Sequence, residues 1–203
     1  MAKIKYTKTE LKYQQDALKQ FTRFLPTLQL KKQQLQQEVR VSVEKLAVNR
    51  AARKTALERL AGILPFFSNA GEAARLTSLV EVTAIDTSTG NIAGITIPLF
   101  EKVEFADIRW DLLTTPWHTD DCVEALKESL SLRAEGKVLE KQYQLLLAEL
   151  TTTTQRVNLF EKVKIPECKE NIRRIKIQLG DMETSAVARS KIAKSKSGQL
   201  ILE

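Results

Sequence analysis

Few residues in this chain could carry chemistry. His118 is the single histidine in 203 residues and stands in TTPWHTDD, just ahead of Asp120 and Asp121. An imidazole beside two carboxylates is material for a general base or a metal site. Next to Trp117, at the start of a helical pattern, it is more economically read as structural or solvent-facing. Asp120 and Asp121 then complement the first turn of the helix that follows. AEGKV, residues 134 to 138, has the Gly-Lys pair of a phosphate loop without the upstream glycine or the hydroxyl residue, so Gly136 reads as a weak spot in a helix. Cys122 and Cys168 lack metal-ligand spacing and read as reduced thiols on helix faces. With no CxxC, HExxH or GxSxG motif either, no catalytic residue, cofactor or metal is expected here.

The elements that would position any site are long. Hydrophobic residues make up 43% and charged residues 28%, as in folded soluble proteins, and only 7 Gly and 5 Pro punctuate the chain. From Leu11 to Ile63 one heptad register runs without a slip. One seam position takes Leu11, Leu18, Leu25, Lys32, Val39, Leu46, Arg53 and Leu60; the other takes Gln14, Phe21, Leu28, Leu35, Ser42, Asn49, Ala56 and Ile63. The residues between are Gln- and Lys-rich helix formers such as KKQQLQQE, so a single helix of roughly 55 residues, on the order of 80 Å, is predicted. Pro26 falls inside it. Because the phase holds on both sides, a kinked but continuous helix is expected.

After Ile63 the character changes. LPFFSNAG ends the helix, and EAARLTSL allows a helical turn or two. Residues 79 to 98, LVEVTAIDTSTGNIAGITIP, alternate apolar and polar on either side of DTSTGN, which predicts a β-hairpin turning there and stopped by Pro98, with 98–108 as a third short extended piece. Helical spacing returns near Thr119. Leu139, Tyr143, Leu146, Leu150, Thr153, Val157 and Phe160 keep one seam; Ile165, Cys168, Ile172, Ile175, Leu179, Met182 and Ala186 keep another. Continuing the first by seven from Val157 lands on Lys164, yet the second starts at Ile165. The register shifts by one residue beside Pro166, just after the intrinsically weak run TTTT, so a bend or altered winding is predicted within a few residues of the proline. The last residues, SKIAKSKSGQLILE, are expected to fray.

Two thin-seamed helices cannot bury themselves alone and are expected to pair with each other. The predicted fold is mainly α: a long antiparallel two-helix coiled coil of the N- and C-terminal helices with a small central β-hairpin region. Three segments follow: residues 1–67, the N-terminal helix; 68–118, the hairpin region; and 119–203, the C-terminal helix.

Charge and hydropathy remove several function classes. No run of about 18 apolar residues is present and no apolar stretch follows the basic start, so neither a membrane span nor an export signal is expected. Net charge is +7, with 14 Lys and Arg against 5 Asp and Glu in residues 1–70, and 3 against 7 in 71–118. The basic residues are dispersed among glutamines without a dense block or interleaved aromatics, which argues against a nucleic-acid footprint. The apolar seam is too narrow for a membrane-surface wedge.

One stretch carries a family pattern. RVNLFEKVKIPECKENIRRIKIQLGDME, residues 156 to 183, resembles the C-terminal signature of the D subunits, the central-stalk rotor components of V-type and A-type rotary ATPases, with Arg156, Val157, Asn158, Glu161, Ile165, Pro166, Ile172, Ile175 and Leu179 in its places. NIAGITIP, with Ile92, Gly94, Ile95, Ile97 and Pro98, is similar to that family's central strand. TKTELKYQQDALKQF followed by LQLKKQQLQ resembles its opening helix. FLP at 24–26 departs from the pattern. The resemblance implies a rotor shaft without nucleotide sites, turning inside a ring of catalytic and regulatory subunits of the A and B types. It further implies the small F-type stalk subunit and a funnel-shaped adaptor as partners, ion transport, expected to be of protons, coupled to ATP hydrolysis or synthesis, and a cytoplasmic place peripheral to the membrane. A coiled-coil scaffold using its hairpin as a docking head is the alternative that the residues leave open.

Overall fold

The computed structural model describes residues 5–63, 80–107 and 119–200, the last four of these by backbone only. The break expected at 64–71, the helical turns of EAARLTSL, and His118 with Trp117 lie outside the described residues. Two long helical stretches flank an antiparallel hairpin: α1 (Lys8–Ile63), β1 (Val82–Ile92), β2 (Ile95–Phe105), α2 (Thr119–Leu159), a π-helical turn (Phe160–Lys164) and α3 (Ile165–Leu200). No described helix is long and apolar enough to cross a membrane. The chain forms two compact units, one of Met1–Lys31 with Thr152–Glu203 and one of Lys32–Thr151.

α1 begins where its sequence says it can. Thr7 Oγ1 accepts a hydrogen bond from the Glu10 N–H at 3.2 Å, satisfying one of the amides that a helix start leaves without a partner. Glu10 then holds Gln14 one turn on, at 2.9 Å. Pro26 lies within a continuous helix, as the unbroken phase requires, and both it and Thr22, whose carbonyl loses a donor to the proline, are exposed to water. All sixteen seam positions of α1 are buried or half-buried. Only five are fully buried, and two of those, Ser42 and Asn49, are polar. So mixed a seam has little apolar area to bury, and at about 1.5–3 kcal/mol per large side chain its stability rests on a few residues.

In the first unit the Phe21 and Phe160 rings lie 5.0 Å apart, and Lys8 reaches Glu183 at 3.4 Å, so α1 and the C-terminal helix run antiparallel. Cys168 and Ile175 are buried, whereas Met182 and Ala186, expected to continue that seam, are exposed, as is every residue from Asp181 to Lys196. The reason is the partner's length: α1 starts at Lys8, alongside Glu183, and offers nothing beyond. α3 runs on to Leu200, through most of the stretch expected to fray, and residues 201–203 lie outside the described residues.

The hairpin in the second unit turns elsewhere than its composition suggests. DTSTGN lies within β1; the turn is Ala93-Gly94, at φ 51° and 82°, a two-residue connection whose twist suits paired strands. The Gly94 N–H donates to Asn91 Oδ1 at 3.0 Å, which stabilises the reversal locally. Pro98 does not stop β2 but pairs with Thr89 inside it, and the stretch expected as a third strand is β2's continuation to Phe105. Two register shifts, at Val82/Ala84 and Asp86/Thr87, absorb the irregular spacing that obscured the alternation.

Candidate functional site

Three places depart from a plain helix pair. The first is where α1 meets α2 in the second unit. Asn49 is 4% exposed; its Nδ2 donates to the Leu132 carbonyl at 3.1 Å and to Glu135 Oε2 at 2.9 Å. A Cβ on Gly136 would stand 2.8 Å from Asn49 Oδ1 and 3.5 Å from Arg53 Nη1. Gly136 is therefore a point of close approach between two helices and more than the weak spot its propensity suggests. Asn49 Oδ1 is buried without a hydrogen-bond partner, an arrangement that costs stability and restricts which register the helices can adopt. Ten residues along α1, Arg59 Nη1 pairs with Glu128 Oε2 at 3.2 Å on the surface.

The second place is the π turn in the first unit. The Ile165 N–H donates to the Phe160 carbonyl, five residues back instead of four, while Leu159 and Ile165 on either side keep ordinary helical dihedrals. One extra residue in a turn moves the seam by one position, the shift seen between Val157 and Ile165. Pro166 follows directly, in a helix that is unbroken through the π turn, and its ring removes one N–H that would otherwise bond back into that turn. The signature residues divide between two faces. Val157, Ile165, Ile172, Ile175 and Leu179 are buried or half-buried along the seam; Arg156, Asn158, Glu161 and Pro166 are exposed.

The third is the hairpin's seat in the second unit. Phe105, Leu126 and Leu130 pack against buried Val80 and Val123, and the Lys127 ammonium lies 5.8 Å from the Phe105 ring centroid. Farther along, the Gln142 side-chain amide donates to the Pro98 carbonyl. Ile97 is 1% exposed, and Gly90, its partner across the ladder, leaves room for Leu99, whose Cδ1 would lie 2.8 Å from any Cβ there. Ile92 and Ile95 flank the turn, half-buried. Lys102, on the exposed surface, bridges Glu104 at 2.6 Å and Asp86 at 3.4 Å, and these two hydrogen-bonded carboxylates raise its pKa above 10.5.

Both thiols sit inside. Burial is the larger cause that raises Cys122 and Cys168 above the ordinary value of 9.0; Asp121 adds to it at the first, and Glu167 at the second, where Lys164 opposes. Raised pKa values leave few thiolates and little nucleophilicity at neutral pH. Asp120 and Asp121 lie in the first turn of α2, where negative charge is favoured. The Asn49–Gly136 approach escaped sequence reasoning. Its only signal was a polar residue at a seam position seen together with a glycine at helical spacing from Leu132 and Leu139.

Long N- and C-terminal helices that run antiparallel, with a small two-stranded hairpin between them in the chain, define a mainly helical, coiled-coil class of protein. A family model described as the ATP synthase D subunit matches residues 10–195, and the chain belongs to that family. It is 46% identical over 195 residues to the V-type ATP synthase D subunit of Borreliella burgdorferi, an alignment covering 96% of this chain and 95% of the other. The V-type ATP synthase D subunit of Chlamydia muridarum is 31% identical, with 98% of each chain covered, and that of Chlamydia pneumoniae 32%, with 95% and 92% covered.

Proposed function

We propose that the chain is the central rotor shaft of a V-type ATP synthase or ATPase. It carries no catalytic residue of its own and couples ATP hydrolysis or synthesis in a surrounding ring of A- and B-type subunits to ion transport, proton transport being the expected form. The observation that supports this best is the seven-residue phase kept along α1 from Leu11 to Ile63, within a chain that matches the family over residues 10–195. A shaft must hold together along its length while giving no fixed sticking point to what surrounds it. A thin seam inside and a polar exterior meet both demands. On this reading the small F-type stalk subunit and the funnel-shaped adaptor turn with the chain, and the chain is cytoplasmic, peripheral to the membrane as part of the soluble sector of the complex.

The basic N-terminal segment would act as an electrostatic bearing, since screened charges in water attract over about 8–10 Å without adhering firmly. Within that segment Lys31, Lys32 and Arg53 are half-buried, and Arg53 stands beside Gly136. Arg23, Arg40 and Arg50, all exposed, are therefore the cleaner set to neutralise. The decisive experiment reconstitutes the chain with the catalytic ring and follows ATP hydrolysis and the rotation of a bead fixed to the chain. Stepwise rotation supports the shaft; a ring that hydrolyses ATP at full rate around a stationary chain rejects it.

A further inference from the structure

The outer edge of β1 is unpaired among the described residues. Pro98 fixes the geometry. Its carbonyl accepts from Gln142, away from β1, so the Thr89–Pro98 pair is one whose backbone groups point outward from the ladder. Such sites recur every second residue, and the unshifted register from Thr87 to Ile92 therefore turns the N–H and C=O groups of Thr87, Thr89 and Asn91 outward on the β1 side. Among the described residues nothing pairs with them, and the side chains of all three are exposed. β2's outer edge is different, because α2 lies against it through Gln142.

An exposed edge of this length is a liability that proteins ordinarily blunt with lysine, proline or a bulge. β1 spans 11 residues and contains neither lysine nor proline, its Thr87–Ile92 stretch is free of register shifts, and Ile85 is 45% exposed beside it. The hairpin segment 80–107 carries Glu81, Asp86, Glu101, Glu104 and Asp107 against Lys102 alone, a charge of −4 on a chain of +7.

We propose that Thr87–Asn91 of β1 pairs with an extended, cationic segment of a companion subunit that turns with this chain. The charge selects lysine- or arginine-bearing partners. Backbone pairing selects co-rotation: ladder hydrogen bonds need a fixed register and cannot slide past a stationary ring. The inference rests on the rotor reading above.

Amide-resolved hydrogen exchange tests it on the full-length chain, free, bound to its co-rotating subunits alone, and within the complete complex. Expected is a period of two. The Thr87, Thr89 and Asn91 amides exchange rapidly in the free chain and at least 100-fold more slowly once the co-rotating subunits are bound, while Ser88 and Gly90 are slow in both. Thr89→Pro removes one outward donor without touching the β1–β2 ladder, as Pro98 already does opposite it, and should weaken companion binding at least tenfold; Thr89→Val keeps the donor and should not. Glu81→Gln with Glu101→Gln should lower the salt dependence of that binding.

Fast outward amides in an intact complex, or unchanged binding by Thr89→Pro, overturn strand pairing while leaving the shaft reading in place. Protection that appears only when the ring is added overturns co-rotation. Protection in the free chain, accompanied by dimerisation that Thr89→Pro abolishes, assigns the edge to a second copy and overturns the companion. Salt dependence unchanged by the double Gln variant rejects the cationic partner. Failure of the chain to assemble with any rotary subunit rejects the shaft reading and this inference together.

Discussion

The helix pair departs from a regular repeat at Asn49–Gly136 and at Phe160–Lys164, and the means are opposite. At the first, a side chain is missing: Gly136 lets α1 approach until Asn49 Oδ1 stands where a Cβ would be, and the seven-residue phase is untouched. At the second, a residue is added: the i→i−5 bond from Ile165 to Phe160 takes up one position, and the phase is reset while Phe160 keeps its contact with Phe21. Removing volume fixes where two helices meet. Adding a residue fixes which face a helix presents from there on.

The largest expected effect separates these roles directly. Deleting Gln34 from α1 rotates every later seam side chain by about 100°, with no π turn in that helix to absorb it, so Leu35, Leu46 and Ala56 leave the core. The cooperative thermal transition should be lost. Deleting Val163 together with Pro166→Ala converts the π turn to an ordinary one and joins the two seam series in a single phase. That variant should still melt cooperatively, within a few degrees of the parent. Circular dichroism melts of the two deletions decide it, and equal damage from both would refute the π turn as the phase-setting element.

Next in size is a large side chain at the close approach. Gly136→Leu must displace Asn49 and Arg53, and overpacking of this kind costs about 1–3 kcal/mol, to which loss of the Asn49 hydrogen bonds adds about 1 kcal/mol more. Asn49→Ala should cost only about 1 kcal/mol, because it removes the unsatisfied Oδ1 along with the two bonds. Chemical denaturation measures both. If Asn49→Ala proves as damaging as Gly136→Leu, the contact is held by the amide and not by the space.

Smaller again is the aromatic pair beside the π turn. A double-mutant cycle on Phe21→Leu and Phe160→Leu should return a coupling of about 0.5–1.5 kcal/mol, the range for tilted rings near 5 Å. A coupling near zero would mean that the extra residue alone sets the phase and the rings merely fill space.

What was legible in the sequence follows from the same contrast. Seam periodicity is a local pattern, so both helices and the one-residue shift at Pro166 could be counted off the chain. The close approach is a relation between residues 87 apart in sequence, and a glycine's usefulness there depends on what faces it, so Gly136 looked like a defect. The hairpin turn was misplaced for a different reason. DTSTGN has the composition of a turn, but Ala93-Gly94 has the geometry, and the shifts at Thr83 and Glu101 hid the two-residue alternation that would have shown β1 running on to Ile92. The seam's end at Leu179 was invisible because it depends on where the partner helix starts.

The smallest expected effect compares the units through their thiols. Cys122 in one and Cys168 in the other are raised above 9.0 by burial, so the folded chain favours the protonated form more strongly than the unfolded chain does. The stability this linkage contributes is fully present below pH 9 and is lost as pH rises through and beyond that value. The melting midpoint should be flat from pH 6 to 8 and begin to fall above about 9. Cys122→Ala combined with Cys168→Ala should remove the early part of the fall. Lys164 opposes the shift at Cys168 only, so Lys164→Gln should raise that thiol further, slow its alkylation at pH 9, and leave Cys122 unchanged. Equal slowing of both thiols would mean that Lys164→Gln acts on the opening of the helix pair as a whole, and not through the local field around a single sulfur beside the π turn.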